Sequence, residues 1–320
     1  MMLRVVSLVL LLLTGIAQAA PVVLQRPIDL DTGTGVLHGS LLLPRSDKPV
    51  PMVLIIAGSG PTDRDGNNPE GGRNDSLRKL AIFLARNNIA SVRYDKRGVA
   101  SGQALAPDER TLSVEGYVAD AVAWGRKLKA DPRFGPLVIL GHSEGALIAS
   151  LAANPAGAAA VVSLAGSGRP VDQVLREQLH EQLPPPLARR GDQLIDRLKA
   201  GQLDPDVQPP LDSAFRPSVQ PYLISLFRQD PAAAFAQLKM PALIVQGSTD
   251  LQVSIKDAKA LQAAKPDAQL VTIGGMNHVL RIVPADPKQQ RESYQNPNLP
   301  LADELGRTLV KFIESAPVGG

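Results

Sequence analysis

Between Leu137 and Ser150 an apolar run, Leu137 to Leu140, meets Gly141-His142-Ser143-Glu144-Gly145 and continues into a stretch of small and apolar residues. This segment constrains the chain more than any other, because it reads as strand, sharp turn and helix. Glycines two residues on either side of Ser143 let the backbone turn tightly where a Cβ would clash. The serine is thereby lifted to the tip of the turn with its hydroxyl exposed. A five-residue pattern of this kind recurs by chance often enough that its flanks must decide its meaning.

The flanks alternate strands with helices. Residues 22–30 and 36–43 are rich in Val and Leu and are interrupted at Asp31, Gly33 and Gly35, which predicts a β-hairpin ending at Pro44. Met52 to Ala57 is a continuous apolar run, as suits a strand buried on both faces. After a long polar loop, Asp75 stands at the N-cap of a helix reaching Asn87, with apolar residues at 77, 80, 81, 84 and 85. A short strand, Ile89 to Tyr94, stops at the turn Asp95-Lys96-Arg97-Gly98. Ser113 then caps a helix running to about Lys129, and Pro132 ends it. Beyond the elbow, strands are predicted at 158–164, 242–246 and 269–273, with a helix over 254–264 and a closing helix over 301–313. The expectation is an α/β fold: a mostly parallel central sheet with helices on both faces.

From Gly166 to Met240 this alternation breaks. Residues 167–239 hold ten of the 28 prolines and no convincing strand. They read as an inserted cap of short helices at 171–183, 192–200, 219–229 and 232–238, with Pro184 to Pro186 and Pro209-Pro210 as breakers; a separate domain is the rival reading. The core would then comprise residues 20–166 and 240–320. Residues 1–19 stand apart from it, because Arg4 precedes the apolar run Val5 to Leu13 and Ala17-Gln18-Ala19 offers a small-x-small cleavage site. That arrangement is a secretory signal peptide and predicts an exported protein, periplasmic or extracellular. The run is shorter than the roughly 18 apolar residues a membrane span needs, and no cysteine follows for lipidation, so no stable membrane anchor is expected after cleavage.

Composition excludes several chemistries. With no cysteine there is no disulfide, thiolate nucleophile or cysteine metal ligand. The formal charge of +3 falls to +2 when Arg4 leaves with the signal. No Lys/Arg cluster with interleaved aromatics appears, so nucleic acid is not an expected partner. His38, His142 and His180 share no metal-ligand spacing, and no glycine-rich phosphate loop follows a strand, so neither a metal nor another cofactor is implied.

A serine hydroxyl is a poor nucleophile at neutral pH and needs a histidine to take its proton and a carboxylate to orient that histidine. Of four histidines, His38 lies in the hairpin, His142 inside the elbow and His180 in the cap. Only His278 follows a core strand, in the flexible sequence Gly274-Gly275-Met276-Asn277-His278. Asp250 follows the strand 242–246 and is the candidate acid, with Asp257 and Asp267 as alternatives. The order is Ser143, Asp250, His278.

A G-x-S-x-G turn, a strand-end acid and a histidine after the last strand, in that order, resemble the α/β-hydrolase superfamily over nearly the whole mature chain. Ala57-Gly58-Ser59-Gly60-Pro61 with Asp63-Arg64-Asp65-Gly66-Asn67, and Tyr94-Asp95-Lys96-Arg97-Gly98, resemble bacterial serine esterases of the acyl-ester and cinnamoyl-ester type. The resemblance implies cleavage of a small-molecule carboxylic ester through an acyl-enzyme, without a cofactor. It also implies an oxyanion hole made of the backbone N–H groups of Glu144 and Ser59. The histidine that the family usually carries before the loop glycine is Ala57 here. Serine at the elbow argues against the dehalogenase and epoxide-hydrolase branches, which use an aspartate there. A peptidase or thioesterase would use the same triad, and a catalytically silent binding protein would retain the fold without the reaction. The Glu144 side chain is expected to be a partly buried, hydrogen-bonded neighbour, Asp63-Arg64-Asp65 a braced loop, and Asp95 to Gly98 a strand-end turn.

Overall fold

The computed structural model describes residues 23–317, so the signal-peptide expectation for residues 1–19 lies outside the described residues. The hairpin forms from β1 (Val23–Asp31) and β2 (Val36–Pro44). Six further strands follow: β3 (Val50–Ile56), β4 (Ala90–Tyr94), β5 (Phe134–His142), β6 (Ala160–Leu164), β7 (Ala242–Gly247) and β8 (Gln269–Ile273). They make one sheet in the order β1-β2-β4-β3-β5-β6-β7-β8. The hairpin joins it antiparallel through Leu41 opposite Val92, and every pairing from β4 to β8 is parallel. This is the mostly parallel α/β sheet expected.

The parallel strands read as continuous apolar runs because both of their faces are covered. On one face α1 (Ser76–Arg86) sets Leu77, Leu80 and Leu84 against Val53, Ile55 and Val138. On the other, α2 (Val114–Lys129) and α3 (Glu144–Ala156) bury Trp124, Ile148 and Ala152 against Leu54, Ile56 and Ile139. Ser113 caps α2 as expected, its hydroxyl accepting from Gly116 N at 3.0 Å. Asp75 does not cap α1. It sits at the N-cap with φ 53° and no capping bond, and its carboxylate instead accepts from Asn67 Nδ2 at 2.8 Å.

Between β6 and β7 the chain forms α4 (Val171–Gln182), α5 (Pro185–Lys199), α6 (Pro209–Phe215), α7 (Gln220–Phe227) and α8 (Pro231–Ala236). The prolines expected to break helices here instead begin them, α5 starting at Pro185 and α6 at Pro209, and α8 likewise starts on a proline, Pro231. A first-turn residue has no intrahelical partner for its N–H, and the ring presets a helical φ, so proline is welcome at that position. The helix expected from Asp192 therefore starts at Pro185, and α6 was not anticipated. The same logic, with the Asp286 side chain accepting from Gln289 N at 2.9 Å, starts α10 (Pro287–Tyr294), a further helix that was not anticipated. It follows α9 (Ile255–Ala264), which packs against α8, β7 and β8. The closing α11 (Asp303–Glu314) lies beside α1. Among the described residues no helix is long and apolar enough to cross a membrane.

Candidate active site

Ser143 lies between β5 and α3 with φ 56° and ψ −123°, backbone geometry that costs a non-glycine residue about 1–3 kcal/mol unless its surroundings impose it. The surroundings do. Ser143 N donates to Leu164 O at 2.9 Å and Ser143 O accepts from Ala146 N at 3.0 Å, tying the turn to β6 and to α3. The flanking glycines are needed because there is no space for a side chain. A methyl group on Gly141 would run into the Gly145 carbonyl, and one on Gly145 would lie 2.7 Å from Ala57 O at the end of β3.

Asp250 and His278 project from the ends of β7 and β8, on the same sheet edge as Ser143. His278 Nδ1 and Asp250 Oδ2 are 2.8 Å apart, with both side chains almost wholly buried. The other carboxylate oxygen accepts from Gln252 N at 2.8 Å and Val253 N at 3.0 Å, so the acid is fixed at both ends. Burial pushes the Asp250 carboxyl up, but His278 and these two amides outweigh it and hold the group below the ordinary aspartate range. The alternative acids are engaged elsewhere. Asp257 completes a capping box with Ser254 and pairs with Arg169 at 3.1 Å, while Asp267 pairs with Lys265 at 2.9 Å. The Ser143 hydroxyl makes no hydrogen bond to a described residue, so the serine–histidine hydrogen bond is not formed where the histidine–aspartate one is; such bonds commonly tighten only with substrate bound.

His142, which sequence reasoning set aside, supports the constellation. Its Nε2 donates to the His278 backbone carbonyl at 2.9 Å and its ring stands 4.8 Å from the His278 ring. Burial, aided by His278, pushes its pKa down to about 3, so it is neutral at ordinary pH.

The loop after β3 passes directly over the elbow: a methyl group on Gly58 would sit 3.2 Å from Ser143 Cβ. Neither Ser59 N nor Glu144 N donates to any described residue, which leaves two backbone N–H groups available beside the serine. Three consecutive side chains of the turn after β4 hold this region. Asp95 takes Arg64 through N at 2.8 Å, Nε at 3.1 Å and Nη2 at 2.8 Å; Lys96 donates to the Gly58 carbonyl; Arg97 donates to Asp120 of α2 at 2.7 Å. Arg64 thus braces its loop, as expected. Lys96 is 2% exposed, and burial pushes its ammonium below the usual lysine range, with the Glu144 carboxylate opposing the shift. Sequence reasoning took Lys96 as part of a strand-end turn; the signal that could have singled it out is a long cation two residues after a strand that is buried throughout.

A cavity of about 880 Å³ opens from Ser59 and Glu144 towards the helices between β6 and β7, with Tyr117 from α2 and Tyr222 from α7 among its walls. The two tyrosine rings are 5.7 Å apart. Glu144 is half-buried as expected, but its side chain makes no protein hydrogen bond. It lies near enough to Tyr222 to reinforce the burial that holds that phenol well above its ordinary range, yet short of hydrogen-bond geometry. Among the described residues no three His, Asp or Glu side chains are arranged to hold a metal ion.

A serine on a strained strand-to-helix turn, with a buried acid–histidine pair at the same edge of a parallel sheet, defines a class. The model of the alpha/beta hydrolase family matches residues 32–290, and the chain belongs to that family. It is 27% identical over 285 residues to Esterase EstD of Thermotoga maritima, an alignment covering 86% of this chain and 66% of that protein. The chain thus spans just under two thirds of that relative's length. Among solved structures it is similar to ferulic acid-bound Est1E from Butyrivibrio proteoclasticus, with a TM-score of 0.60 and 16% identity over 90% of this chain and 98% of that one. The esterase domain of a Rhodothermus marinus protein matches with a TM-score of 0.56 and 18% identity, over 90% and 97%. At such identities these structures speak for the fold alone.

Proposed function

We propose that the protein is an exported serine hydrolase that cleaves small carboxylic esters through an acyl-enzyme. The observation that carries this reading is the Asp250–His278 pair at 2.8 Å, anchored at the sheet edge where the strained turn presents Ser143. In the reaction Ser143 Oγ attacks the ester carbonyl while His278 Nε2 takes its proton. The oxyanion that forms is held by the N–H groups of Ser59 and Glu144. Collapse expels the alcohol, which receives the proton from His278, and leaves the acyl group on Ser143. Water, deprotonated by the same histidine, then attacks the acyl carbonyl and releases the acid. Asp250 keeps its charge throughout and holds the imidazole in the tautomer that leaves Nε2 free to accept.

A small ester is favoured over a peptide because the cavity of about 880 Å³ falls within the size range of small-molecule sites rather than that of an extended cleft. The Tyr117 and Tyr222 rings suit an aromatic acyl group, and ferulic acid is bound in Est1E. The reading takes further support from the name of the Thermotoga relative, an esterase. Export rests on the pattern of residues 1–19; N-terminal sequencing of protein recovered outside the cytoplasm should begin at Ala20. The test of mechanism is Ser143→Ala, assayed on p-nitrophenyl acetate, butyrate and cinnamate beside matched thioesters and amides. Loss of roughly 10⁴-fold or more in kcat on the esters is expected, and unchanged ester turnover would refute the reading.

A further inference from the structure

Lys96 is a long cation that reaches the peptide group of the candidate oxyanion loop itself. Its Nζ donates to the carbonyl of Gly58, the residue that packs on Ser143 and whose peptide group carries the Ser59 N–H. A trans peptide is planar, with its C=O and N–H pointing in opposite directions, and no cis peptide occurs among the described residues. Pinning the Gly58 oxygen from one side therefore aims the Ser59 N–H to the other. Lys96 is buried and does not line the cavity, whereas Ser59 lines it together with Glu144. The remaining surroundings hold the ammonium in place. It stands 5.3 Å from the centre of the Tyr117 ring, and the turn that carries it is fixed at its neighbours by the Asp95–Arg64 and Arg97–Asp120 pairs.

We propose that Lys96 is a positioning residue for the oxyanion hole, setting the plane of the Gly58–Ser59 peptide so that the Ser59 N–H meets the developing oxyanion. The proposal rests on the Ser143 reading. A buried ammonium bound to a carbonyl has no evident reason to be there if packing alone were needed, since an apolar side chain would fill the space without being desolvated. As a preorganised anchor it removes the freedom of the peptide to flip before the reaction rather than during it. Lys96 touches no reacting atom, and its effect falls on the transition state more than on ground-state binding.

The test is Lys96→Met, which keeps the length and loses the donor, with Lys96→Gln as a second variant that restores a shorter one. Removing an oxyanion donor outright costs about 10²–10³ in kcat, so a donor left unaimed should cost roughly 10–100-fold in Lys96→Met, with KM altered less than about threefold and partial recovery in Lys96→Gln. A trifluoromethyl ketone that adds to the serine places an oxyanion in the hole, and its inhibition constant should weaken in step with kcat/KM. A merely structural role would lower the folded fraction and leave both kcat per folded molecule and the inhibition constant unchanged, which would overturn the proposal. Should neither variant fold, a crystal structure of the unaltered protein carrying the ketone adduct decides. The oxyanion on Ser59 N with Lys96 still on the Gly58 carbonyl supports the proposal, and an oxyanion bonded to Lys96 itself or away from Ser59 N refutes it. If the unaltered protein shows no Ser143-dependent turnover or adduct, it is the parent reading that fails.

Discussion

Buried beside His278, His142 should make the fold acid-labile. Its pKa in the folded protein is about 3 against an ordinary 6.5, because burial and the neighbouring His278 disfavour the charged ring. Above pH 6.5 the ring is neutral in both folded and unfolded chains and contributes no pH dependence. As the pH falls below 6.5 the unfolded chain takes up the proton and the folded chain does not, so stability drains away until the folded pKa is reached. At pH 5 the loss is about 2 kcal/mol relative to pH 7.5, taking those two values and 1.36 kcal/mol per unit. His142→Gln removes the titration and retains a donor for the His278 carbonyl. The measurement is urea unfolding of both proteins at pH 5.0 and 7.5, where the other histidines are shared and drop out of the difference. The unaltered protein should lose about 2 kcal/mol more than the variant over that interval. Equal losses would refute the argument, since they would mean that the ring protonates in the folded state without penalty.

Two further outcomes follow from the same geometry. Asp250→Asn removes the charge that orients His278 and stabilises its imidazolium, and should lower kcat on p-nitrophenyl esters about 10⁴-fold while leaving the melting curve largely in place; a loss below tenfold would argue for a different acid. Gly145→Ala drives a methyl group towards the carbonyls of Ile56 and Ala57, which belong to a central strand and cannot yield, so denaturant unfolding should show a loss of at least about 1–3 kcal/mol, and an unchanged midpoint would mean that the α3–β3 contact is looser than the structure has it.

Much of the sheet was legible because its code is coarse. The runs Met52 to Ile56 and Leu137 to Leu140 are apolar on both faces, and only a covered parallel strand needs that. Asp250 and His278 could be singled out because strand ends are the places where a short loop can carry a side chain to a common edge. What escaped was decided by partners distant in sequence. The prolines of α5, α6, α8 and α10 carry one local meaning in a helix interior and the opposite one in its first turn, and only the position of the helix start distinguishes them. Asp75 looks like a cap, yet Asn67 claims its carboxylate and leaves α1 to start without one. His142 was dismissed for lying inside the elbow, and its role depends on a carbonyl 136 residues further on.

The turn Asp95-Lys96-Arg97 shows why a site of this kind is held by residues that do no chemistry. The strain at Ser143 persists only if the chain around it has no alternative path, and the loop that must face it leaves β3 with Ala57, whose methyl group offers no hydrogen bond to fix the loop. Here the constraint arrives from β4 instead, where three adjacent side chains take three different neighbours: Asp95 the loop at Arg64, Lys96 the peptide at Gly58, Arg97 the helix α2 at Asp120. The three side chains leave the turn in different directions, so one short segment ties three elements at once. Because the three bonds share a backbone, loosening one should displace the others. Loss of the Asp95–Arg64 pair would therefore reach the Gly58 carbonyl through Lys96 without any change at Gly58 itself.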